Sequence, residues 1–381
     1  MTEKLYYKDA YIRKFESVVL SCEPVGDYYS VTLKETAFFP EEGGQYSDSG
    51  RLGNANVLTV TEADGIIYHR TDAPLTVGDR VEGEIDFGER YEKMQCHTAE
   101  HILSGLIHKH YGLDNKGFHL GKEDVTLDIS APLGWDELKE IERLANEAVY
   151  ENIPITVLFP TPEEQRSLFY RSKIEITENL RVVKIGEYDS CACCAPHLNA
   201  TGEIGIIKIL DFVKLRGGIR IFMTAGRRAA RIFSTMQDNL SKISRITSTP
   251  RLLCGESVEK MASELEECRY LLKNARLALF LREAENIEPT DKNLIRLYPD
   301  ATQDELRALA NEVVGKVGGI LVLLSGEENN YKYIIASGSV DLRTEAKNIN
   351  AALCGKGGGS SVMIQGGFAT ELKNIKSYFG F

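Results

Sequence analysis

The segment His97-Thr98-Ala99-Glu100-His101 sets two imidazoles four residues apart. On a helix, positions i and i+4 lie one turn apart on the same face, so both rings can converge on one metal ion. Two ligands do not close a zinc site. Further along, Cys191-Ala192-Cys193-Cys194-Ala195-Pro196-His197 supplies a C-x-x-x-H spacing at Cys193 and His197. One thiolate and three imidazoles, His97, His101, Cys193 and His197, make a tetrahedral set suited to Zn2+. A histidine pair at i,i+4 is by itself more often an ordinary surface or core feature, and the second cluster tips the balance toward metal. His108 shares the helical face but lies seven residues beyond His101, roughly 10 Å further along the axis. Cys96 points about 100° away from His97. Spacing alone does not separate Cys193 from Cys191 and Cys194.

The elements that must position these groups follow from hydrophobic periodicity. Met94, Ile102, Leu103, Leu106 and Ile107 recur at helical spacing within Tyr91–His110, which predicts a helix there. Residues 1–90 alternate in short β-like runs, Phe15–Cys22, Tyr28–Thr36, Ala55–Glu62, Gly65–Arg70 and Asp79–Asp86, the pattern of a small β-barrel. Between them the stretch Thr36–Gly50 pairs aromatics with consecutive glycines. Gly43 and Gly44 can bring backbone N–H groups close to a ligand, and Gln45 offers an amide, although a Gly-Gly pair is also what an ordinary tight turn uses. Residues 91–230 alternate helices and strands as in an α+β domain, with a helix expected over Trp135–Glu151 and strands leading into and out of the cysteine cluster.

From Gly226 to Glu285 the pattern is helical, broken around Pro250 and Gly255. Val258, Met261, Leu265, Cys268, Leu272, Ala275 and Leu279 step by three and four, a coiled-coil seam that wants a partner helix. That partner is either Arg227–Ser248 of the same chain or a second copy. Residues 286–381 restart as a compact α/β unit containing a glycine loop, Cys354–Ser361, which lacks the Gly-Lys-Ser/Thr ending of a phosphate-binding loop. The expected division is 1–90, 91–230, 231–285 and 286–381.

Composition narrows the function classes. No run is long enough for a membrane helix and Met1–Tyr7 has no signal-peptide core, so a cytoplasmic protein is expected. Eight cysteines, three of them within four residues of one another, read as metal chemistry in a reducing compartment rather than as a disulfide framework. The net charge of −11 argues mildly against nucleic acid. Lys208–Arg231, however, carries seven cations against one acid, Asp211. That run suits a nucleic-acid contact and a solvated hairpin face equally well.

Taken together, these residues resemble the alanyl-tRNA editing proteins in their long form, free-standing relatives of the editing and C-terminal parts of alanyl-tRNA synthetase. The matches are the aromatic-Gly-Gly-Gln loop at Phe38–Gly50, H-x-x-x-H at His97–His101, C-x-x-x-H followed by Thr201–Gly205, and Arg220–Arg228. Beyond Lys292 the chain is similar to the C-terminal domain shared with DHH phosphoesterases. The resemblance implies a β-barrel, a zinc-containing α+β editing domain, a coiled-coil linker and a DHH-associated α/β domain. It selects Cys193 as the cysteine ligand. It further implies hydrolysis of the ester joining serine or glycine to the 3′ end of mischarged tRNA(Ala), with Thr36 contacting the serine hydroxyl and Gln45 holding the substrate near the metal. Backbone donors at Gly43-Gly44 would hold the oxyanion. A homodimer through the helices or the last domain is expected. Glu42, Tyr46, Cys194-Ala195-Pro196 and Ser360-Ser361 depart from the family pattern.

Such a pocket has a physical rationale. A site sized for alanine discriminates weakly against serine, which adds only a hydroxyl, whereas a second site that hydrogen-bonds that hydroxyl rejects alanine sharply. Two rival readings stand beside it. H-x-x-E-H is also a metallopeptidase pattern, with Glu100 activating water, although Glu100 otherwise reads as an exposed helix residue. A tRNA-binding module with structural zinc would bind without turnover.

Overall fold

The computed structural model of the chain describes residues 1–122, 124–172 and 180–381. They form two units, Met1–Leu240 and Ser241–Phe381. In the first, β1 (Glu3–Lys4) pairs with β4 (Glu35–Thr36) beside a barrel. The barrel strands are β2 (Lys14–Val25), β3 (Tyr28–Leu33), β5 (Gly50–Leu52), β6 (Ala55–Ala63), β7 (Ile66–Thr71) and β8 (Arg80–Ile85). They close in the order β2-β3-β7-β6-β5-β8. Alternate positions such as Val31, Leu33, Val57, Val60 and Ile67 turn inward and are buried with Phe38 and Phe39.

The chain then enters α1 (Phe87–Tyr111), capped by Asp86, whose side chain accepts the Glu89 N–H, and ended by Gly112 in a left-handed conformation. One face carries the expected apolar stripe, Met94, Ile102, Leu103, Leu106 and Ile107. The other face, with Arg90, Lys93, His97, Glu100 and His101, is buried as well. A helix buried all round must satisfy every polar group on it, so its polar face marks the functional centre of the unit. A four-stranded sheet of order β14-β15-β10-β9 supports it. Its strands are β9 (Asn115–Leu120), β10 (Val125–Ile129), β14 (Ile207–Leu215) and β15 (Gly218–Ala225). Helix α2 (Trp135–Glu151) packs against α1 and β14. A small antiparallel sheet, β11 (Ile155–Leu158), β12 (Val182–Ile185) and β13 (Asp189–Ala192), delivers the cysteine cluster, with the one-turn helix α3 (Pro162–Gln165) after β11.

Helix α4 (Gly226–Thr247) begins in the first unit and ends in the second, and α5 (Cys254–Glu285) follows the break at Pro250. Along α5 the seam residues Val258, Met261, Leu265, Leu272 and Leu279 are all exposed. The five-stranded sheet that follows has the order β16-β17-β18-β20-β19. It contains β16 (Leu294–Leu297), β17 (Leu321–Glu327), β18 (Asn330–Ala336), β19 (Gly355–Gly359) and β20 (Met363–Phe368). Helix α6 (Gln303–Val313) covers one face, over Leu321, Leu323 and Ile334; α7 (Leu342–Ala352) and α8 (Leu372–Tyr378) cover the other, over Val322, Leu324 and Ile335. Burial on both faces explains the unbroken apolar run in β17.

The expected glycine loop is corrected here. Gly355–Gly359 is an edge strand, antiparallel to β20. A Cβ on Gly357 or Gly366 would come within 2.3 or 2.7 Å of the Tyr333 hydroxyl. The glycines therefore make room for that ring, which stacks on Phe368 at 4.2 Å. Packing overrides the weak strand propensity of glycine.

Candidate metal centre

Three imidazoles and one thiol meet between the barrel and the α+β core. The rings of His97, His101 and His197 lie 4.5 to 5.4 Å apart, centroid to centroid. Cys193 Sγ sits 3.6 Å from His97 Nε2 and 3.3 Å from His197 Nε2. Tetrahedral zinc with bonds of about 2.0–2.3 Å spaces its ligands about 3.5 Å apart, so these separations fit the ion.

The outward nitrogens support the same conclusion. His97 Nδ1 donates to Gln45 Oε1 at 2.9 Å, His197 Nδ1 lies 3.0 Å from Thr98 Oγ1, and His101 Nδ1 lies 3.0 Å from Asp189 Oδ2. His97 and His197 are thus held by Nδ1 with Nε2 turned to the Cys193 thiol, the arrangement that fixes tautomer and orientation in metal sites, while His101 faces Asp189 at ion-pair distance. Burial alone would push the Cys193 thiol up, yet the surrounding histidines hold it well below its usual range, toward thiolate. Burial drives His197 down to about 3, keeping its ring neutral. Against the cost of burial, Asp189 and the Cys193 thiol act the other way on His101, raising its pKa well above the usual value, and a thiol with three imidazoles is a donor set that zinc takes.

Backbone packing sets the alignment. Gly105 lies one turn beyond His101, and a Cβ there would come within 2.2 Å of Tyr188 O and 2.8 Å of Asp189. Its absence lets β13 approach α1 so that Asp189 reaches His101. Arg171 Nε holds the other Asp189 oxygen at 2.7 Å. Arg181 Nη1 donates to the carbonyls of Cys193 (2.6 Å) and Ala195 (2.9 Å), fixing the turn that carries the thiol. Asp189→Asn is therefore expected to weaken metal binding by about 10- to 100-fold without unfolding the chain, read by chelator competition alongside thermal unfolding; unchanged affinity would remove Asp189 from the site.

The glycine stretch arrives from the barrel. Glu42 and Gln45 exchange backbone hydrogen bonds across a tight turn, with Gly43 and Gly44 at φ +63° and +80°. A Cβ on Gly44 would come within 2.2 Å of Phe118 O, so the turn lies directly on β9, and Gly43 faces Cys194 Sγ. The loop is clamped to α1 by a buried charge cluster. Arg90 bonds Asp48 and the Ala37 carbonyl, Lys93 Nζ donates to Ser47 O at 2.6 Å, and Asp48 accepts the Phe39 N–H at 2.7 Å. Tyr46, one of the departures from the family pattern, stacks under Lys93 and bonds Arg228.

Thr36 is fully buried, 2.8 Å from His69 Nε2. Because His69 Nδ1 contacts the Val31 carbonyl, that nitrogen carries the ring proton, and burial lowers the ring's pKa to about 4. Thr36 therefore donates its proton to His69 and accepts the Phe38 N–H.

The structure does not bring the remaining candidates to the centre. Cys96 faces Ala225 O, His108 pairs with Asp114, and Cys194 lies beside the glycine turn. Cys191 falls in a second group with His101 and Asp189. Glu100, expected to be exposed, is buried and accepts the Asn115 amide at 2.6 Å. Much of the basic run is internally paired, with Lys208 on Glu142, Arg220 on Asp128, and Arg228 and Arg231 on Glu92.

Residues 180–226 match the family described as the threonyl and alanyl tRNA synthetase second additional domain. Alanyl-tRNA editing protein AlaX-L of Pyrococcus horikoshii is 28% identical over 96% of this chain and 94% of its own length. The chain is similar to that editing protein along almost its whole length. Alanine–tRNA ligases of Pyrococcus abyssi and Thermococcus kodakarensis are each 32% identical over 96% and 98% of the chain, which spans only 42% of either ligase. Among solved structures, the C-Ala domain from Aquifex aeolicus alanyl-tRNA synthetase matches 23% of the chain at 19% identity and a TM-score of 0.21, too slight a likeness to define a fold.

Proposed function

We propose that the chain edits mischarged tRNA(Ala), hydrolysing the ester that joins serine, or glycine, to the tRNA 3′ end. The observation that carries this reading is the four-donor centre beside the glycine turn, in a chain similar along its length to a protein named for alanyl-tRNA editing. His97, His101, Cys193 and His197 hold zinc, which when bound supplies fixed positive charge beside the ester carbonyl. Gly43 and Gly44 offer backbone N–H groups to the developing oxyanion, and Gln45 joins this loop to His97. Thr36, its proton committed to His69, accepts the serine hydroxyl; alanine brings no donor, leaving that contact unmade. Glu100, committed to Asn115, is poorly placed for the peptidase reading. The finer division at residues 90, 230 and 285 belongs to this proposal, as does a homodimer formed through the exposed α5 seam or the last domain.

The test is to incubate the purified chain with seryl and alanyl esters of the same alanine-specific tRNA and follow ester loss. Rapid loss from the seryl ester, with the alanyl ester spared, is expected. Tight binding with both esters intact would leave a tRNA-binding module.

A further inference from the structure

At the rim of the centre, Tyr7 and Phe159 lie 6.1 Å apart, centroid to centroid, and tilted by 58°. They are not stacked on each other, and Phe159 is 57% exposed. Tyr7 is flanked by two cations, Lys4 and Arg181, each 5.3 Å from its ring centroid. Lys4 is paired with Glu62. Arg181 differs: it is 7% exposed, no carboxylate pairs with it among the described residues, and its buried Nε has no hydrogen-bond partner there. Its charge is set against the Cys193 thiol and the Tyr7 ring, which leaves the buried Nε donor without an acceptor, and an unmet buried donor is costly. The same Arg181 holds the Cys193 and Ala195 carbonyls, so this aromatic pair adjoins the centre directly.

We propose that Tyr7, Phe159 and Arg181 form a docking platform for the unpaired 3′-terminal nucleotides of an RNA strand, with bases stacked on the two rings and Arg181 facing the backbone phosphate. Each nucleotide brings a flat π-face and an anionic group, the two features this surface lacks a partner for. A hydrophobic protein segment would cover Phe159 but leave the Arg181 Nε donor unmet. The proposal rests on the editing reading above, since that is what places a strand's 3′ end at the centre.

The probe is a short single-stranded RNA ending in CCA, carrying a fluorescent adenine analogue as its last base, titrated into the full-length chain. Binding with quenching is expected for wild type. Phe159→Ala should weaken it about tenfold to a hundredfold, while Phe159→Trp restores it and metal content stays constant in both. With the seryl ester of tRNA, Phe159→Ala should raise KM more than it lowers kcat. Tyr7→Leu gives a second reading of the same surface. Unaltered RNA affinity in both Phe159→Ala and Tyr7→Leu overturns the platform while leaving seryl-ester hydrolysis to stand or fall separately. Phe159-dependent RNA binding without ester hydrolysis keeps the platform and sinks the hydrolase reading. Dimerisation lost in Phe159→Ala, with no RNA binding by wild type, overturns the platform in favour of a contact between two copies of the chain.

Discussion

Cys193→Ala is expected to strip the protein of stoichiometric zinc and to lower seryl-tRNA hydrolysis by more than the about 10- to 100-fold that follows loss of a ligand's supporting partner. Three imidazoles would remain around the ion position with no thiolate to balance its charge. Cys191→Ala and Cys194→Ala should keep both metal and turnover, because Cys191 falls with His101 and Asp189, and Cys194 lies against Gly43. Elemental analysis of the three proteins, purified without chelator, separates the cases. Retention of full metal by Cys193→Ala would overturn the ligand set.

Asp48→Asn is expected to destabilise the fold by about 3–5 kcal/mol, the range for breaking a buried ion pair from one side. Arg90 and Lys93 are both fully buried, and Asp48 is the carboxylate buried with them. Burial alone would raise the Asp48 pKa, but Arg90 and then Lys93 more than offset it, so the folded-state value lies below the usual one. The unfolded chain therefore binds the extra proton as pH falls below the ordinary aspartate range, and the contribution of Asp48 to stability is lost on that descent. Denaturant unfolding at pH 7 should reveal the loss in the variant. Over the acid range the variant should lack this component of the pH slope. An unchanged midpoint would mean that the loop is held by other contacts.

How much of this was legible in the sequence depended on period. Helical spacing located the histidine helix within a few residues and Trp135–Glu151 at its observed ends. Alternating short runs over the first ninety residues correspond to strands that close on one another. The candidate donors His97, His101 and His197 were readable as spacing, because ligand geometry constrains local sequence, whereas Cys193 was set apart from Cys191 and Cys194 only by the family resemblance. The residues that steady them were not readable in this way. Asp189, Thr98 and Arg181 act across tertiary contacts, and nothing in their local sequence distinguishes them from ordinary strand or helix residues. Arg90 and Lys93 did carry a signal, since they precede His97 by seven and four residues on one helical face, but charged residues at such spacing are usually solvated. Glu100 was misread for the same reason. The glycine edge strand was hidden because its cause, the Tyr333 ring, comes from a neighbouring strand.

The three histidine rings are gripped from three separate directions, by a barrel loop at Gln45, by the helix itself at Thr98 and by a strand at Asp189. Small zinc modules are organised by the ion, which recoups the entropy of gathering its ligands. Here Cys193 packs against two apolar cores, and those cores carry the loop, helix and strand behind the three rings, so the four groups are tied to the packing of the whole unit and not to one short local segment.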